Sequence, residues 1–269
     1  MTAPVADPVF RWTSELWGSA LRCVPLESAA QHLFTTRQLP LRATEDMQTR
    51  DAWGATLASV GVAPDHLMRV RQVHGSVVRL LAQGRIPDTA ARDRPDADAI
   101  VSNQPGLALA VLVADCVPIL IATRDGGAAA AIHAGWRGTC ARVVGAAVQT
   151  MVEACGADPS TMTAALGPSI GPADYEVGES LMAAFRDAGH PRASLDRWFG
   201  HAGGRRRLDL WSANREQLIG AGLQPDRIFG CGLSTLAHPR EFHSFRRDGA
   251  AAGRMAAIIV VPDRGPAAG

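Results

Sequence analysis

Paired cysteines are missing from this chain: the five present, Cys23, Cys116, Cys140, Cys155 and Cys231, are odd in number, irregularly spaced and in no Cys-x-x-Cys motif. That pattern excludes a disulfide framework and points to reduced thiols in a reducing compartment, of which one or two are functional. Net charge is missing as well. With 27 Lys+Arg against 26 Asp+Glu, no overall field draws the chain toward nucleic acid or an anionic membrane. The tripeptide Arg205-Arg206-Arg207 is local and reads as a solvated loop. The longest hydrophobic run, 107–123, is interrupted by Asp115 and Pro118, which excludes a membrane span and leaves two short buried strands. Residues 1–17 mix acids and prolines with short apolar pieces, unlike a signal or transit peptide, so a cytoplasmic protein is expected. Internal repeats and long linkers are absent too, and residues 1–269 read as one domain, expected to be monomeric.

What is present is a chain of 269 residues, 47% apolar and 20% charged, enough to bury a large core. The first forty residues alternate weakly and predict no definite element. A helix is predicted over 51–60, closed by Gly61 with Pro64 beyond it. From there the pattern turns β-like, with strands at 67–72, 76–81, 107–113, 117–123 and 128–133, the last two joined through Asp125-Gly126 as a hairpin. Residues 139–154 have helical periodicity ending at Gly156. A strand at 162–166, helices at 180–188 and 211–221, and strands at 228–231 and 255–261 complete the reading. Loops are expected at 84–95 and 200–204, and a frayed tail after Pro262. Strands that come first as hairpins and only later alternate with helices favour an α+β fold, one layered domain of mixed β-sheets flanked by helices, over a doubly wound parallel sheet.

Chemistry concentrates in Ala114-Asp115-Cys116-Val117-Pro118 and His133-Ala134-Gly135-Trp136-Arg137-Gly138. If 124–127 is the turn, opposed residues sum to about 251, so His133 faces Pro118, and Cys116 becomes its diagonal neighbour on the same face at roughly 7 Å. Two such side chains can meet at one metal ion, or act as nucleophile and base. His74, in Arg71-Gln72-Val73-His74-Gly75, is a third candidate that spacing alone does not place. Asp115 could orient a metal-binding histidine or cap a turn, and Trp136 could stack on a ligand ring or pack as core.

These segments, with Asp98-Ala99-Ile100-Val101, Gly167-Pro168-Ser169-Ile170-Gly171-Pro172, Tyr175-Glu176-Val177-Gly178 and Phe245-Arg246-Arg247-Asp248-Gly249 followed by Gly253-Arg254, resemble in order the laccase-domain family. That family is also called multicopper polyphenol oxidase, bacterial purine nucleoside phosphorylase or peptidoglycan editing factor. The resemblance implies a fold related to cysteine-hydrolase-like toxins, and one zinc ion held at His74, Cys116 and His133. It also implies phosphorolysis of adenosine, inosine, guanosine and methylthioadenosine, with adenosine deamination as a second activity. It departs from the family's pattern before residue 60, where this chain reads Thr35-Thr36-Arg37-Gln38-Leu39-Pro40-Leu41-Arg42.

A His-Cys-His set with an open fourth position suits catalytic zinc. Phosphorolysis brings an anionic co-substrate, for which Arg137, Arg246 and Arg247 are candidate ligands, with Gln72 grouped among the substrate-binding residues and Asp115 among the catalytic ones. Copper fits less well, because eight histidines in no His-x-His pair cannot build a multicopper centre. A metal-free hydrolase or amidase acting on cell-wall precursors, with Cys116 as nucleophile and His133 as base, is the main rival, and a non-enzymatic binding protein the third class.

Overall fold

The computed structural model describes residues 3–42, 47–82 and 94–261. In chain order the strands and helices are β1 (Phe10–Glu15), β2 (Gly18–Cys23), α1 (Val24–Glu27), β3 (His32–Thr35), α2 (Met47–Ala58), β4 (Leu67–Met68), β5 (Val78–Leu81), β6 (Ala99–Ser102), β7 (Ala108–Val113), β8 (Val117–Ala122) and β9 (Ala129–Ala134). They continue as α3 (Trp136–Cys140), α4 (Val143–Cys155), β10 (Thr163–Leu166), α5 (Glu179–Asp187), α6 (Arg192–Trp198), β11 (Phe199–Ala202), β12 (Arg205–Leu208), α7 (Leu210–Gly220), β13 (Ile228–Gly230), α8 (Phe245–Asp248) and β14 (Met255–Val260).

Two six-stranded sheets result, ordered β1-β2-β3-β14-β7-β4 and β13-β10-β8-β9-β6-β5, with β11 and β12 forming a separate hairpin. Both sheets are mixed: β4 joins β7 in parallel, as do β5 with β6 and β13 with β10, while the central pairs are antiparallel. The period of two residues along each strand divides its side chains between two cores. Leu120 and Ala122 of β8 enter the core between the sheets, where they meet Leu109, Val111 and Met255, while Val117, Ile119 and Ile121 face α4 through Val144, Ala147 and Met151. On the other sheet Ala110, Ala256 and Ile258 turn outward to Trp53 and Leu57 of α2. The layers therefore run helix, sheet, sheet, helix. Strands covered on both faces read as unbroken apolar runs, which is why β7, β8, β9 and β14 were legible.

The expected α+β, mixed-sheet class is what the structure has, with several corrections. Residues 67–72 keep only the two-residue strand β4 and a bridge at Arg71. The helix predicted from 51 starts at Met47. The one predicted over 139–154 is broken into α3 and α4 by Arg142, which takes a left-handed φ of 59°. Its predicted end at Gly156 is correct, that residue capping α4 at φ 65°. Strands β1 to β3 are present where no definite element was expected. Arg205-Arg206-Arg207 is not a solvated loop but most of β12, turning through Gly203-Gly204 and binding Glu176 and Glu179. The loop expected over 84–95 falls mostly, and the tail after Pro262 wholly, outside the described residues. Among the described residues no helix is long and apolar enough to cross a membrane.

Candidate metal centre

Strands β7, β8, β9, β6, β10, β13 and β14 all present the same end of the double sheet to the segments quoted above. Cys116 immediately precedes β8, His133 is the penultimate residue of β9, and Asp98 immediately precedes β6. The hairpin has the expected register, with Pro118 opposite His133 and Val117 opposite Ala134. Cys116 and His133 thus share the face of β8 and β9 that looks into the core between the sheets. Extending the register places Gly135 across from Cys116, and a Cβ there would stand 2.8 Å from the Cys116 Sγ and 3.3 Å from the His74 Cδ2. A bare backbone at 135 is what leaves room for the sulfur.

His74 arrives on the loop between β4 and β5 at φ 61°, and its imidazole meets that of His133 edge-on, ring centroids 4.8 Å apart. The ligand atoms of His74, Cys116 and His133 all lie within 4.8 Å of one another, with His74 exposed, Cys116 half-buried and His133 buried. Three N and S donors with one side open to solvent match the donor set of a single metal ion with a free coordination position.

Asp98, fully buried, organises this group. Its carboxylate accepts the Nδ1 proton of His133 at 2.8 Å and the backbone amides of Gly75 at 2.6 Å, His74 at 2.9 Å and Val73 at 3.3 Å. The bond to His133 leaves Nε2 as the free lone pair, the tautomer a metal ligand needs. Burial alone would raise the Asp98 carboxyl, but His133 and the amides of Gly75 and His74 outweigh it and hold it below the usual carboxylate range. Burial also opposes ionisation of Cys116, yet His133 and His74 bring the thiol down to about 6, while Cys116 and Asp98 raise His133 to about 9. Without metal the two would stand as a thiolate and an imidazolium. The contrast with Cys23 and Cys231, which burial pushes up to about 12, marks Cys116 as the reactive thiol.

Several predicted site residues do something else. Gln72 does not face the site: its amide clamps both the N–H and the C=O of Leu112, at 2.8 and 2.7 Å, tying the His74 loop to β7. Asp115 does not orient a histidine; at φ 89° its carboxylate accepts the Thr235 hydroxyl and the Arg246 amide, both at 2.6 Å, and so anchors α8 beside Cys116. Arg247 is spent on the carbonyls of Thr235 and Phe242 and on Asp248. The divergent segment 35–42 lies against the approach to α8, through the Arg37 amide on the Glu241 carbonyl and a bridge between Leu41 and Arg254.

Among the described residues Arg137 and Arg246 face no carboxylate, although Arg246 gives one guanidinium N–H to the Glu176 carbonyl at 2.9 Å. The Arg137 guanidinium lies 4.4 Å over the Trp136 ring and that of Arg246 5.1 Å over Tyr175. Trp136, Tyr175, Val177, Leu181 and Arg246 line a cleft of about 400 Å³. A larger cavity, about 580 Å³, is bordered by Gly106 and Val261, at the opposite ends of β7 and β14. His74, Cys116 and His133 line neither, and the cleft is the one linked to them, through Trp136 three residues after His133. The site residue that sequence reasoning missed is Asp98. Its signal was a carboxylate heading the wholly apolar Ala99-Ile100-Val101, a position that tolerates charge only when it is paired.

A model of the family described as multi-copper polyphenol oxidoreductase laccase matches residues 42–262. The chain is 38% identical over 249 residues to a protein of Deinococcus radiodurans named purine nucleoside phosphorylase, covering 88% of this chain and 91% of that one. It is 37% identical over 204 residues to purine nucleoside phosphorylase YfiH of Escherichia coli, covering 76% and 77%. Among solved structures, YlmD of Geobacillus stearothermophilus superposes with a TM-score of 0.83 at 26% identity, covering 94% of this chain and 99% of the other. The hypothetical protein YfiH of Bacillus licheniformis shares the fold, with a TM-score of 0.84 at 23% identity over 95% and 100%.

Proposed function

Because the chain belongs to the multi-copper polyphenol oxidoreductase laccase family, and relatives that match it over most of its length bear the name purine nucleoside phosphorylase, we propose that it cleaves purine nucleosides with phosphate at a single zinc ion. His74, Cys116 and His133 are its ligands. The observation that carries this reading is the convergence of those three donors, His133 already held by Asp98 in the ligating tautomer, beside two guanidiniums without carboxylate partners. One cluster of three ligands among the described residues suits a single zinc and not a multicopper centre. When bound, zinc supplies a Lewis acid that polarises a substrate oxygen.

The protein's own groups account for the rest. Arg137 and Arg246 neutralise the phosphate whose oxygen forms the new bond to the ribose anomeric carbon, while the bond from that carbon to the purine nitrogen breaks and the base leaves with the electron pair and takes up a proton. Trp136 and Tyr175 supply flat walls against which a purine stacks. Adenosine, inosine, guanosine and methylthioadenosine are the substrates to test, with deamination of adenosine as a second activity, in a cytoplasmic monomer. Protein purified without added metal is expected to carry about one zinc per chain, to convert adenosine and phosphate into adenine and ribose 1-phosphate, and to lose both properties in Cys116→Ala. Zinc-loaded protein that leaves every purine nucleoside intact would sink the reading.

The thiolate, imidazolium and carboxylate of Cys116, His133 and Asp98 favour one alternative, a metal-free thiol hydrolase. Hydrolysis of an amide by protein stripped of metal, abolished by iodoacetamide, would establish it.

A further inference from the structure

Tyr175 is the chain's single tyrosine. Its backbone is pinned on both sides, the amide to the Gly171 carbonyl at 3.0 Å and the carbonyl to the Leu208 amide at 3.0 Å, so its ring is aimed and not merely accommodated. One face carries the Arg246 guanidinium, and the ring forms part of the cleft wall together with Trp136, which carries Arg137. Nearby carboxylates are already engaged. Glu176 holds Arg205 at 3.0 Å, and both oxygens of Asp115 take up Thr235 and the Arg246 amide. Among the described residues, no group accepts from or donates to the Tyr175 hydroxyl. A half-buried phenol whose hydroxyl has no protein partner thus shares a cleft wall with the Arg246 guanidinium, which spends one N–H on the Glu176 carbonyl at 2.9 Å, and with the Trp136 ring that carries Arg137. Among the described residues neither cation has a counter-ion, and an anion there would satisfy all three.

We propose that the Tyr175 hydroxyl and the guanidiniums of Arg137 and Arg246 form an oxyanion subsite, distinct from the metal ligands, that binds inorganic phosphate before and during attack on the nucleoside. This deepens the phosphorylase reading and rests on it for the identity of the anion. Burial pushes the phenol up to about 12, with the charge on Cys116 adding to it and those on Arg246 and Arg137 opposing, so the hydroxyl keeps its proton and can donate throughout the neutral range. A hydrogen bond from a neutral hydroxyl to a charged oxygen is stronger than one between neutral groups, and its loss costs roughly tenfold or more in affinity.

A single tyrosine makes the test direct. Zinc-loaded protein labelled with 3-fluorotyrosine gives one fluorine resonance, and titration with inorganic phosphate at ionic strength held constant with chloride should shift it saturably, in the absence of any nucleoside. Arg246→Gln and Arg137→Gln should abolish saturation. In steady-state assays Tyr175→Phe, which preserves the ring and its stacked guanidinium, should raise the KM for phosphate about tenfold or more while leaving the KM for adenosine within about twofold. A resonance that responds to phosphate no differently than to chloride, or a Tyr175→Phe enzyme with unchanged phosphate KM, would overturn the subsite even if phosphorolysis is found. A saturable, arginine-dependent shift in protein that cleaves no nucleoside would uphold the subsite and remove the phosphorylase reading instead.

Discussion

Gly135 and Asp98 do more for the candidate metal centre than any residue outside the ligand trio, and by opposite means. Gly135 acts by contributing nothing: a methyl group there would overlap the Cys116 sulfur at 2.8 Å and press on His74 at 3.3 Å. Both neighbours belong to the site, so neither can give way without leaving its position. Gly135→Ala is expected to remain folded, at an overpacking cost of about 1–3 kcal/mol, and to purify with little zinc; metal analysis beside a thermal melt checks it, and full zinc occupancy would refute it. Asp98 acts by saturation, four donors converging on one buried carboxylate. Asp98→Asn must turn an NH₂ toward two of them, either His133 and the His74 amide or the amides of Gly75 and Val73, loosening the His133 ring or the His74 loop. A loss of about 10- to 100-fold in zinc affinity by chelator competition is the expected result. The pairing of Cys116 with His133 was legible through the hairpin register, whereas His74 joined them only through the family resemblance. Asp98 carried the signal of a charge that must be paired, but its partners, the amides of residues 73–75, are brought from a distant loop that no local pattern names. Asp115 and Gln72 present the reverse case. Their place beside Cys116 and His74 in sequence suggested a role in chemistry, while their side chains serve the backbones of α8 and β7.

At the scale of elements, the hairpin of β8 and β9 could be placed to the residue, since Asp125-Gly126 fixed the turn and the turn fixed the register. The hairpin of β11 and β12 escaped notice although Gly203-Gly204 is an equally good turn, because three consecutive arginines looked like solvent-facing chain. Two of them are held by Glu176 and Glu179, and the strand they form is hydrogen-bonded to the Tyr175–Val177 segment through Val177 to Arg206 and Leu208 to Tyr175. The hairpin is thus a brace behind the cleft wall. Gly204 adopts φ 75° with open space around it, so Gly204→Ala introduces only backbone strain, about 1–2 kcal/mol. That strain should loosen the brace alone. Amide exchange at Val177 and Leu208 is expected to quicken, with zinc content unchanged; equal protection in the two proteins would show that the hairpin does not support the wall. Strands β1 to β3 were illegible for a related reason. Arg22, the penultimate residue of β2, sits buried against Glu15 and the carbonyls of His32 and Ser59, and a buried charge within a strand breaks the alternation that would have revealed it.

For the molecule as a whole, one end of the double sheet carries the candidate chemistry, and the sheet of β1, β2, β3 and β14 serves chiefly to close the core behind it. That closure contains a titratable weak point. His32 of β3 is fully buried, its Nε2 accepting the Cys23 amide at 2.9 Å and its Nδ1 donating to the Ala30 carbonyl at 3.1 Å. Both ring nitrogens are used by the neutral form, and a second proton would displace the Cys23 amide and bury a charge. Burial accordingly lowers His32 to about 4, against an unfolded value near 6.5. The unfolded chain takes up this proton as pH falls through 6.5 and the folded chain only near 4. Stability from His32 is therefore complete above about pH 6.5 and is lost progressively down to about pH 4, by about 3 kcal/mol in all. The Cys116 thiol, brought down to about 6, titrates in the same range, so the wild type alone would mix two effects. The comparison with His32→Gln, whose side-chain oxygen can still accept the Cys23 amide, separates them. In urea titrations the stability advantage of wild type over His32→Gln should shrink by about 3 kcal/mol between pH 7 and pH 4. A difference that stays constant with pH would mean that His32 takes up its proton at the same pH in the folded and unfolded chain, so that its burial sets no acid limit on the fold.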